Sequence, residues 1–398
     1  MIRTPISAAL RQLLIAQVPA DFADWLDFVA IGALLAYVWM VDPMVFALLA
    51  VAMGLPYLII GPVAGVVVDR SSVKSVLILS NLGRALATAA LFLAPSWPVL
   101  MVIVALRATV DTFYTPAKQA AIQALTTKDD RTRVNGLSHA INQASKIVAP
   151  ALGGGLLIWF SPQHIFAINA LVSVLAALLL WTLPVIFRDI DTSDAELGLR
   201  QNLSAGMDVV RSSPVVRAAL IMMGAGYFAM FFYDTLIAPL TRDLGYTETI
   251  LGLSLAAVGA GGVLGALALG AGPADKQPFV MIGIGSGIAA LIVMMIGGFE
   301  VTGQKLSHLA FIGLFGLLGF CSAMTVVPFR TIIQNNVSSA RIGRVTALSE
   351  AVNTVALLTA PFIGAAIASA FSIGASFICG GVVMLLVAIR AMQLRALR

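Results

Sequence analysis

The chain has few of the residues that bind metals, form disulfides or keep a protein surface in water. Its 398 residues include three histidines and two cysteines, and only 11% are charged. Soluble domains are about a quarter charged, so most of this surface is not suited to water. His139, His164 and His308 lie far apart without ligand spacing, so no metal site is expected. Cys321 and Cys379 fall in apolar stretches, and no disulfide framework is expected.

The patterns of nucleotide-dependent enzymes are also missing. No segment of the form G-x-x-x-x-G-K-[ST] occurs, which argues against an ATP-driven pump. The glycine runs at 153–155 and 259–265 lie inside apolar segments, where close helix packing explains them better than nucleotide binding. No nucleophile and base are visibly placed together, so the chain is predicted not to be an enzyme and to need no cofactor.

What the chain has in abundance is apolar residues. They make up 60% of the sequence, and the mean hydropathy is +0.98. The apolar runs are continuous, which favours membrane-spanning helices over the alternating strands of a β-barrel. Twelve runs are about long enough to cross a bilayer. They cover residues 11–38, 43–68, 75–94, 97–121, 134–158, 164–186, 215–240, 249–270, 278–298, 306–329, 343–369 and 372–394. We therefore predict an all-α membrane protein with twelve transmembrane helices, six in each half.

The second half of the chain repeats the first. Residues 133–154 and 344–365 align without a gap at a separation of 211, with nine identical pairs that include Asn142 with Asn353 and Gly153 with Gly364. A whole-chain duplication in an apolar protein is typical of transporters built from two bundles. The predicted organisation is an N-terminal six-helix bundle at 1–187, a cytoplasmic linker at 188–214 and a C-terminal six-helix bundle at 215–398.

The distribution of basic residues predicts the orientation in the membrane. If twelve spans are present, one set of loops holds only Arg242 and Lys305. The other set holds the basic residues of both termini with Arg70, Lys74, Lys118, Lys128, Arg131, Arg133, Arg188, Arg200, Arg211, Lys276, Arg330, Arg341 and Arg344. The positive-inside rule then places both termini in the cytoplasm. Basic loops beside anionic lipids account for the net charge of +5, and no nucleic acid partner is expected.

Polar and charged residues inside the predicted spans are the candidate functional residues, because burying a charge in a bilayer is costly. Asp21, Asp24 and Asp27 recur every third residue in the first span, and Arg107 lies four residues before Asp111. We predict Asp24, Asp27 and Asp234 as proton-coupling residues. The predicted substrate-binding or counter-ion residues are Arg84, Arg107, Asp111, Asn142, Gln143 and Lys146.

The repeat distinguishes residues that are the same in both halves, which we expect to serve the fold, from candidates that occur in one half only. At a separation of 211, Met295, Leu318, Ser322 and Leu357 stand where the first half has Arg84, Arg107, Asp111 and Lys146. The buried charge is therefore concentrated in the first half. Mixed charges of this kind favour a zwitterionic or anionic cargo over a purely cationic one.

Three motifs point to a known family. The loop after the second span reads GPVAGVVVDR and is followed by Lys74; a PAKQAA segment begins at Pro116, and GRV begins at Gly343. The chain resembles the major facilitator superfamily, in particular the drug and siderophore exporter branch that includes macrolide efflux and enterobactin exporter proteins. The loop motif is partial, because Ser71, Ser72 and Val73 stand where the family commonly has a glycine and a further arginine.

The resemblance implies two bundles related by a pseudo-twofold axis, with Asp27 and Asp234 on facing helices. The residues that we predict to act in gating are Asp69, Arg70, Lys74, Arg133, Arg344 and Glu350. The expected function is secondary active transport of a small amphipathic molecule, a siderophore or a drug-like compound, by a proton-coupled exporter. The alternatives are an importer of a ferric siderophore or related nutrient and a divalent metal facilitator. The expected partners are the cargo, protons and membrane lipids, and the protein is expected to act as a monomer.

Overall fold

The computed structural model describes residues 7–127, 130–186, 207, 210–270, 277–337 and 342–394. The elements of these residues are all helical. The helices of the first half are α1 Ala8–Leu26, α2 Phe28–Ala33 with a π-helical turn at Leu34–Val38, α3 Pro43–Arg70, α4 Val73–Phe92, α5 Trp97–Leu125, α6 Arg131–Leu156 and α7 Pro162–Trp181. Those of the second half are α8 Pro214–Asp234, α9 Ile237–Asp243, α10 Glu248–Gly270, α11 Pro278–Thr302, α12 His308–Asn336, α13 Ile342–Ala370 and α14 Ile373–Gln393.

Serine residues mark the starts of several helices. The hydroxyl oxygens of Ser7, Ser72, Ser213, Ser307 and Ser372 each accept a hydrogen bond from the backbone N–H three residues later. Such caps satisfy one of the N–H groups that a helix start leaves without an intrahelical partner. The helix starts are therefore encoded locally in the sequence.

Within the described residues, ten helices are long and apolar enough to cross a membrane. The two predicted spans that are not among them are 11–38 and 134–158. Both segments are helical, but the first is divided at Asp27 and the second, now α6, is the least apolar of the long helices. These are the two segments that carry most of the polar candidates. The all-helical membrane class is confirmed, whereas the number of twelve spans stays a prediction.

The repeat reappears in the positions of the helices. Helices α5, α6 and α7 start at Trp97, Arg131 and Pro162, and α12, α13 and α14 each start 211 residues later. The starts of α3 and α4 are separated by 205 residues from those of α10 and α11. The two halves thus have the same order of helices, with a six-residue difference in spacing before α5.

The chain divides into two compact units. Unit 1 is Met1–Val41 with Val51–Ile190, and unit 2 is Asp42–Ala50 with Asp191–Arg398. Each has its own apolar core, formed around Leu13, Leu77 and Ile122 in unit 1 and around Phe279 and Ile332 in unit 2. The predicted linker at 188–214 lies mostly outside the described residues, so the domain boundaries stay a prediction.

One glycine contact occurs in both units. A Cβ atom on Gly153 of α6 would lie 2.5 Å from the carbonyl oxygen of Leu26 at the end of α1. Its repeat mate Gly364, on α13, lies still closer to α8, and a Cβ atom there would lie 1.8 Å from the carbonyl oxygen of Phe232. No Cβ fits at either distance, so glycine allows each helix to touch its neighbour's backbone.

Candidate functional site

The part of the candidate site that lies in unit 1 is built around the break between α1 and α2. Helix α1 ends at Leu26, and Asp27 follows it before α2 begins at Phe28. One helical turn before this break lies Asp24, and another turn before that lies Asp21. Each of the three aspartates has a basic partner from α4 or α5, as described below.

Arg84 of α4 joins α1 to α5. It is fully buried, and its Nη1 atom lies 2.8 Å from Asp24 Oδ1 while its Nε donates to Asp111 Oδ1 at 2.5 Å. Nη1 also donates to the carbonyl oxygen of Ala20 at 2.6 Å. The guanidinium lies 5.3 Å from the ring centroid of Tyr114, a cation–π distance. Arg84 thus binds two carboxylates from two different helices.

Arg107 of α5 holds the end of α1. Its Nη1 donates to Asp27 Oδ2 at 2.6 Å, and its Nη2 donates to the carbonyl oxygen of Ala23 at 3.1 Å. Asn169 of α7 donates to the same carbonyl at 2.9 Å. The guanidinium therefore satisfies both a carboxylate and backbone groups next to the helix break.

Asp111 connects the two arginines. Its Oδ1 accepts from Arg84, and its Oδ2 lies 3.7 Å from Arg107 Nε, an ion pair between residues four apart on one helix. We name Asp24, Asp27, Arg84, Arg107 and Asp111 the charge network. It contains three carboxylates and two guanidinium groups, so one negative charge is left over when all five are ionised.

The third aspartate of α1 lies in a separate group. Asp21 is fully buried, and its carboxylate accepts hydrogen bonds from Lys118 Nζ at 3.0 and 3.3 Å, from Gln17 Nε2 at 2.7 Å and from Asn142 Nδ2 at 3.2 Å. Lys118 also lies 5.0 Å from the ring centroid of Tyr114. We name Gln17, Asp21, Lys118 and Asn142 the Asp21 cluster, which is balanced in charge.

The sequence interpretation of Lys118 was wrong. We counted Lys118 among the basic residues of the cytoplasmic loops, but it is only 5% exposed in α5 and pairs with Asp21. A signal was present, since Lys118 falls within the predicted span 97–121. Gln17, one helical turn before Asp21, and Asn169 were also missed, because an amide in an apolar helix is less conspicuous than a charge.

The remaining predicted substrate residues lie on α6. Asn142 belongs to the Asp21 cluster. Lys146 is exposed, and its Nζ lies 5.4 Å from the ring centroid of Trp25. The side chain of Gln143 lies outside the described residues. The structure therefore brings Asp24, Asp27, Arg84, Arg107 and Asp111 together, and places Lys146 beside the ring that precedes the helix break.

The predicted gating residues lie at the ends of several helices. Asp69 and Arg70 are exposed at the end of α3, and Arg133 and Glu350 are exposed on α6 and α13. Lys74 Nζ donates to the carbonyl oxygen of Leu183 at 2.5 Å, which ties the start of α4 to the segment after α7. The side chain of Arg344 lies outside the described residues. The gating role of this set stays a prediction.

Unit 2 has a cavity of about 150 Å³ and no comparable network among its described residues. Helices α8, α9, α10, α11, α12 and α14 line it, mainly with methionine, aromatic and aliphatic side chains. Asp234, the last residue of α8, is the one charged side chain in the described lining. Leu318 and Ser322 also line it, and they are the repeat mates of Arg107 and Asp111.

Long apolar helices with ion pairs buried between them are the features of a membrane transport protein, since charges inside a membrane protein mark substrate or ion pathways. The family model of the Major Facilitator Superfamily matches residues 13–308. The chain belongs to this superfamily and is a multi-pass membrane transporter of small molecules, and it is not an enzyme.

Curated relatives cover most of the chain. An uncharacterized MFS-type transporter, YfiS, of Bacillus subtilis (strain 168) is 25% identical over 95% of this chain and 91% of its own length. Macrolide efflux protein A of Streptococcus pyogenes is 24% identical over 86% of this chain and 85% of its own. Macrolide efflux protein A of Enterococcus faecalis is 27% identical over 76% of this chain and 94% of its own.

Solved structures agree on the fold. A bacterial homolog of the human lysosomal transporter Spinster superposes with a TM-score of 0.72 at 14% identity, covering 98% of this chain and 96% of its own. The nucleoside transporter NupG superposes with a TM-score of 0.70 at 13% identity, covering 97% and 99%. At these identities the likeness concerns the fold alone.

Proposed function

We propose that this chain is a secondary exporter that moves small amphipathic molecules out of the cell by alternating access, in exchange for protons. The observation that carries the proposal is the charge network of unit 1. Buried ionisable groups in membrane helices are costly, and they are retained where they move ions or substrates. The relatives called macrolide efflux protein A support export and a drug-like cargo.

The charge count of the network supports proton coupling. Three carboxylates share two guanidinium groups, so a single bound proton brings the five groups to neutrality. Arginine keeps its proton at all physiological pH values, so the exchangeable site is a carboxylate. Binding and release of that proton changes the energy of the buried network, and this difference biases which conformation is populated.

Asp24 is the carboxylate that we assign to proton exchange. Its side chain is 27% exposed, compared with 1% for Asp27 and 9% for Asp111. Its Oδ1 atom lies next to Arg84 but accepts no hydrogen bond of good geometry. Asp27 is held by Arg107, and Asp111 is held by Arg84. Water therefore reaches Asp24 more easily than the other two carboxylates.

The pairing of the α1 aspartates favours this function over metal transport. Each of Asp21, Asp24 and Asp27 faces a lysine or an arginine, which repels a divalent cation. Within the part of the chain that the structure describes, no group of three or more histidine, cysteine, aspartate or glutamate side chains is placed to hold a metal ion. The alternative function, import of a ferric siderophore, would move its cargo in the opposite direction, so the direction of cargo transport distinguishes it from export.

The proposal includes the setting of the transporter. We place it as a monomer in the bacterial inner membrane, in contact with lipids, with both termini in the cytoplasm and two six-helix bundles at 1–187 and 215–398 joined by a linker. The basic loops and the 211-residue repeat support this arrangement.

The test is proton flux in liposomes that contain the purified protein and a pH-sensitive dye, with macrolides and siderophores added one at a time. Cargo-dependent proton flux is expected in the wild type, with a loss of at least about tenfold in Asp24→Asn, equivalent to about 1.4 kcal/mol. Asp243→Asn is the matched control, because Asp243 forms a surface ion pair with Arg242 outside the network. Flux that persists in both Asp24→Asn and Asp27→Asn, or cargo movement without protons, contradicts the proposal.

A further inference from the structure

We propose that the cavity of unit 2 is a cargo subsite for lipophilic cations, such as a protonated amine on a bulky apolar body, with Asp234 as the counter-ion. The inference rests on the proposed transport function and names the chemical class of its cargo. It differs from the zwitterionic or anionic cargo expected from the sequence.

The first argument is that Asp234 lacks a partner among the residues that the structure describes. Within the described residues its carboxylate makes no hydrogen bond and no ion pair, although it lines the cavity. In unit 1, the carboxylates of Asp21, Asp24, Asp27 and Asp111 each lie within 3 Å of a lysine or arginine nitrogen. A carboxylate in an apolar wall has a free-energy cost that a cationic ligand would offset.

The second argument comes from the repeat. Asp27 and Asp234 hold similar places, each at a short break after the first long helix of its unit. In unit 1 the cation beside this break is Arg107, but its repeat mate in unit 2 is Leu318, which lines the cavity. Unit 2 therefore has a carboxylate close to this break, and it has a smaller apolar residue where unit 1 has the arginine. The cavity and the carboxylate without a basic partner among the described residues therefore occur at the same place in unit 2.

The third argument is the chemistry of the wall. Met222, Met223 and Met230 line the cavity together with Tyr227 and Tyr233. Aromatic faces attract cations, and flexible, polarisable thioethers adapt to irregular apolar shapes. A wall of this kind with a single charged anchor matches the general composition of small-molecule sites. It suits a bulky organic cation, whereas a small hydrated metal ion would find too few oxygen ligands.

The cations of unit 1 do not favour an anionic cargo. Arg84, Arg107 and Lys118 are all engaged by carboxylates of α1 and α5. An anionic cargo that approached them would have to displace these carboxylates. In unit 1 each of these buried basic side chains already has a carboxylate partner, whereas in unit 2 the carboxylate of Asp234 has no basic partner among the described residues.

The experiment measures equilibrium binding of two ions of the same size and shape but opposite charge. Radiolabelled tetraphenylphosphonium and tetraphenylborate are titrated separately onto the purified full-length protein in detergent. We expect saturable binding of tetraphenylphosphonium that weakens at least about tenfold in Asp234→Asn, the effect of losing about 1.4 kcal/mol. Binding is expected to be retained in Asp234→Glu, which keeps the charge. Tetraphenylborate is expected to bind no better than to empty detergent micelles.

Two further variants make the test specific to this cavity. Leu318→Arg restores the cation that unit 1 has at the equivalent position, and it should abolish tetraphenylphosphonium binding by pairing with Asp234. Asp243→Asn removes a carboxylate outside the cavity lining and should leave binding unchanged. Gel filtration of each variant shows whether it is folded. Equal binding of the two probes, or unchanged tetraphenylphosphonium binding in folded Asp234→Asn and Leu318→Arg, would overturn the inference.

Failure of this inference is distinguishable from failure of the proposed function. Equilibrium binding needs no proton gradient and no movement across a membrane. If proton flux is absent while Asp234-dependent binding persists, the subsite stands and proton coupling falls. If macrolide-dependent proton flux occurs while tetraphenylphosphonium binding is independent of Asp234, the exporter stands and the cation subsite falls.

Discussion

The two units of this transporter have the same helix order and one shared backbone contact, but opposite interiors. Gly153 and Gly364 each bring the fifth long helix of their unit against a carbonyl oxygen of the first. Beside this contact, unit 1 has two arginines and three carboxylates in contact, whereas unit 2 has a cavity with one carboxylate. The duplication has thus kept the positions where backbones touch, while the side chains around them have diverged.

This difference shows which positions belong to the scaffold. A glycine at a backbone contact has no substitute, because any Cβ atom would overlap the neighbouring carbonyl. A polar side chain in the interior is free to change as long as its partner changes with it. The charges of unit 1 and the cavity of unit 2 are therefore where the functional differences between the halves are expected.

The largest effect is expected from Arg84→Met, which breaks the network of unit 1. It would leave Asp24 and Asp111 without their shared buried partner, at a cost of about 3–5 kcal/mol in the free energy of unfolding. All five tryptophans lie in the first half of the chain and both cysteines in the second. Thermal unfolding followed by tryptophan fluorescence should therefore show an early transition of unit 1.

The control for this prediction is the double variant Arg84→Met with Asp111→Leu, which removes a carboxylate along with the cation. It should recover part of the lost stability. A single variant as stable as the wild type would mean that the network contributes no stability, and the contrast between the units would then concern function alone.

An intermediate effect is expected at the shared glycine contact. Gly153→Ala and Gly364→Ala should each destabilise the protein by about 1–3 kcal/mol, because the added methyl group pushes against a backbone carbonyl. Tryptophan fluorescence reports on the first variant, and the rate of thiol labelling at buried Cys321 reports on the second. The variants for thiol labelling are made in a Cys379→Ser background, because Cys379 is exposed and would also be labelled.

Gly155→Ala is the control for the glycine prediction. Nothing lies within 4 Å of its added methyl group, so the change should be neutral or stabilise the helix by up to about 1 kcal/mol. A large effect at only one of Gly153 and Gly364 would show that the two contacts are not equivalent, and would weaken the scaffold interpretation of the repeat.

The smallest effect on stability is expected from Asp234→Asn. No partner among the described residues is lost with this charge, so the free energy of unfolding should change by less than about 0.5 kcal/mol or rise slightly. The rate of thiol labelling at Cys321, which lines the same cavity, measures this change in the free energy of unfolding. A loss of several kcal/mol would mean that Asp234 has a structural partner, and would remove the basis of the cation subsite.

Much of this architecture could be predicted from the sequence, and for local reasons. Continuous apolar runs predict membrane helices, and the match of residues 133–154 to 344–365 predicts the duplication that appears as helix starts 211 residues apart. The candidates Asp24, Asp27, Arg84, Arg107 and Asp111 stood out because a charge in an apolar helix is costly and therefore rare. The spacing of Arg107 and Asp111 also predicted their ion pair, since residues four apart share a helix face.

The choice of partners was decided only by the tertiary structure. Asp27 meets Arg107 across 80 residues of chain and Asp21 meets Lys118 across 97, distances at which sequence spacing carries no information about contact. Lys118 was predicted to lie in a loop, and Asp234 was predicted to have the same role as Asp27. The packing of helices buried Lys118 and, among the described residues, left Asp234 without a cation. Leu318 lines the same cavity at the position that Arg107 has in unit 1. Composition determines that charges are buried in this protein, and the three-dimensional packing of its helices determines which of them are neutralised.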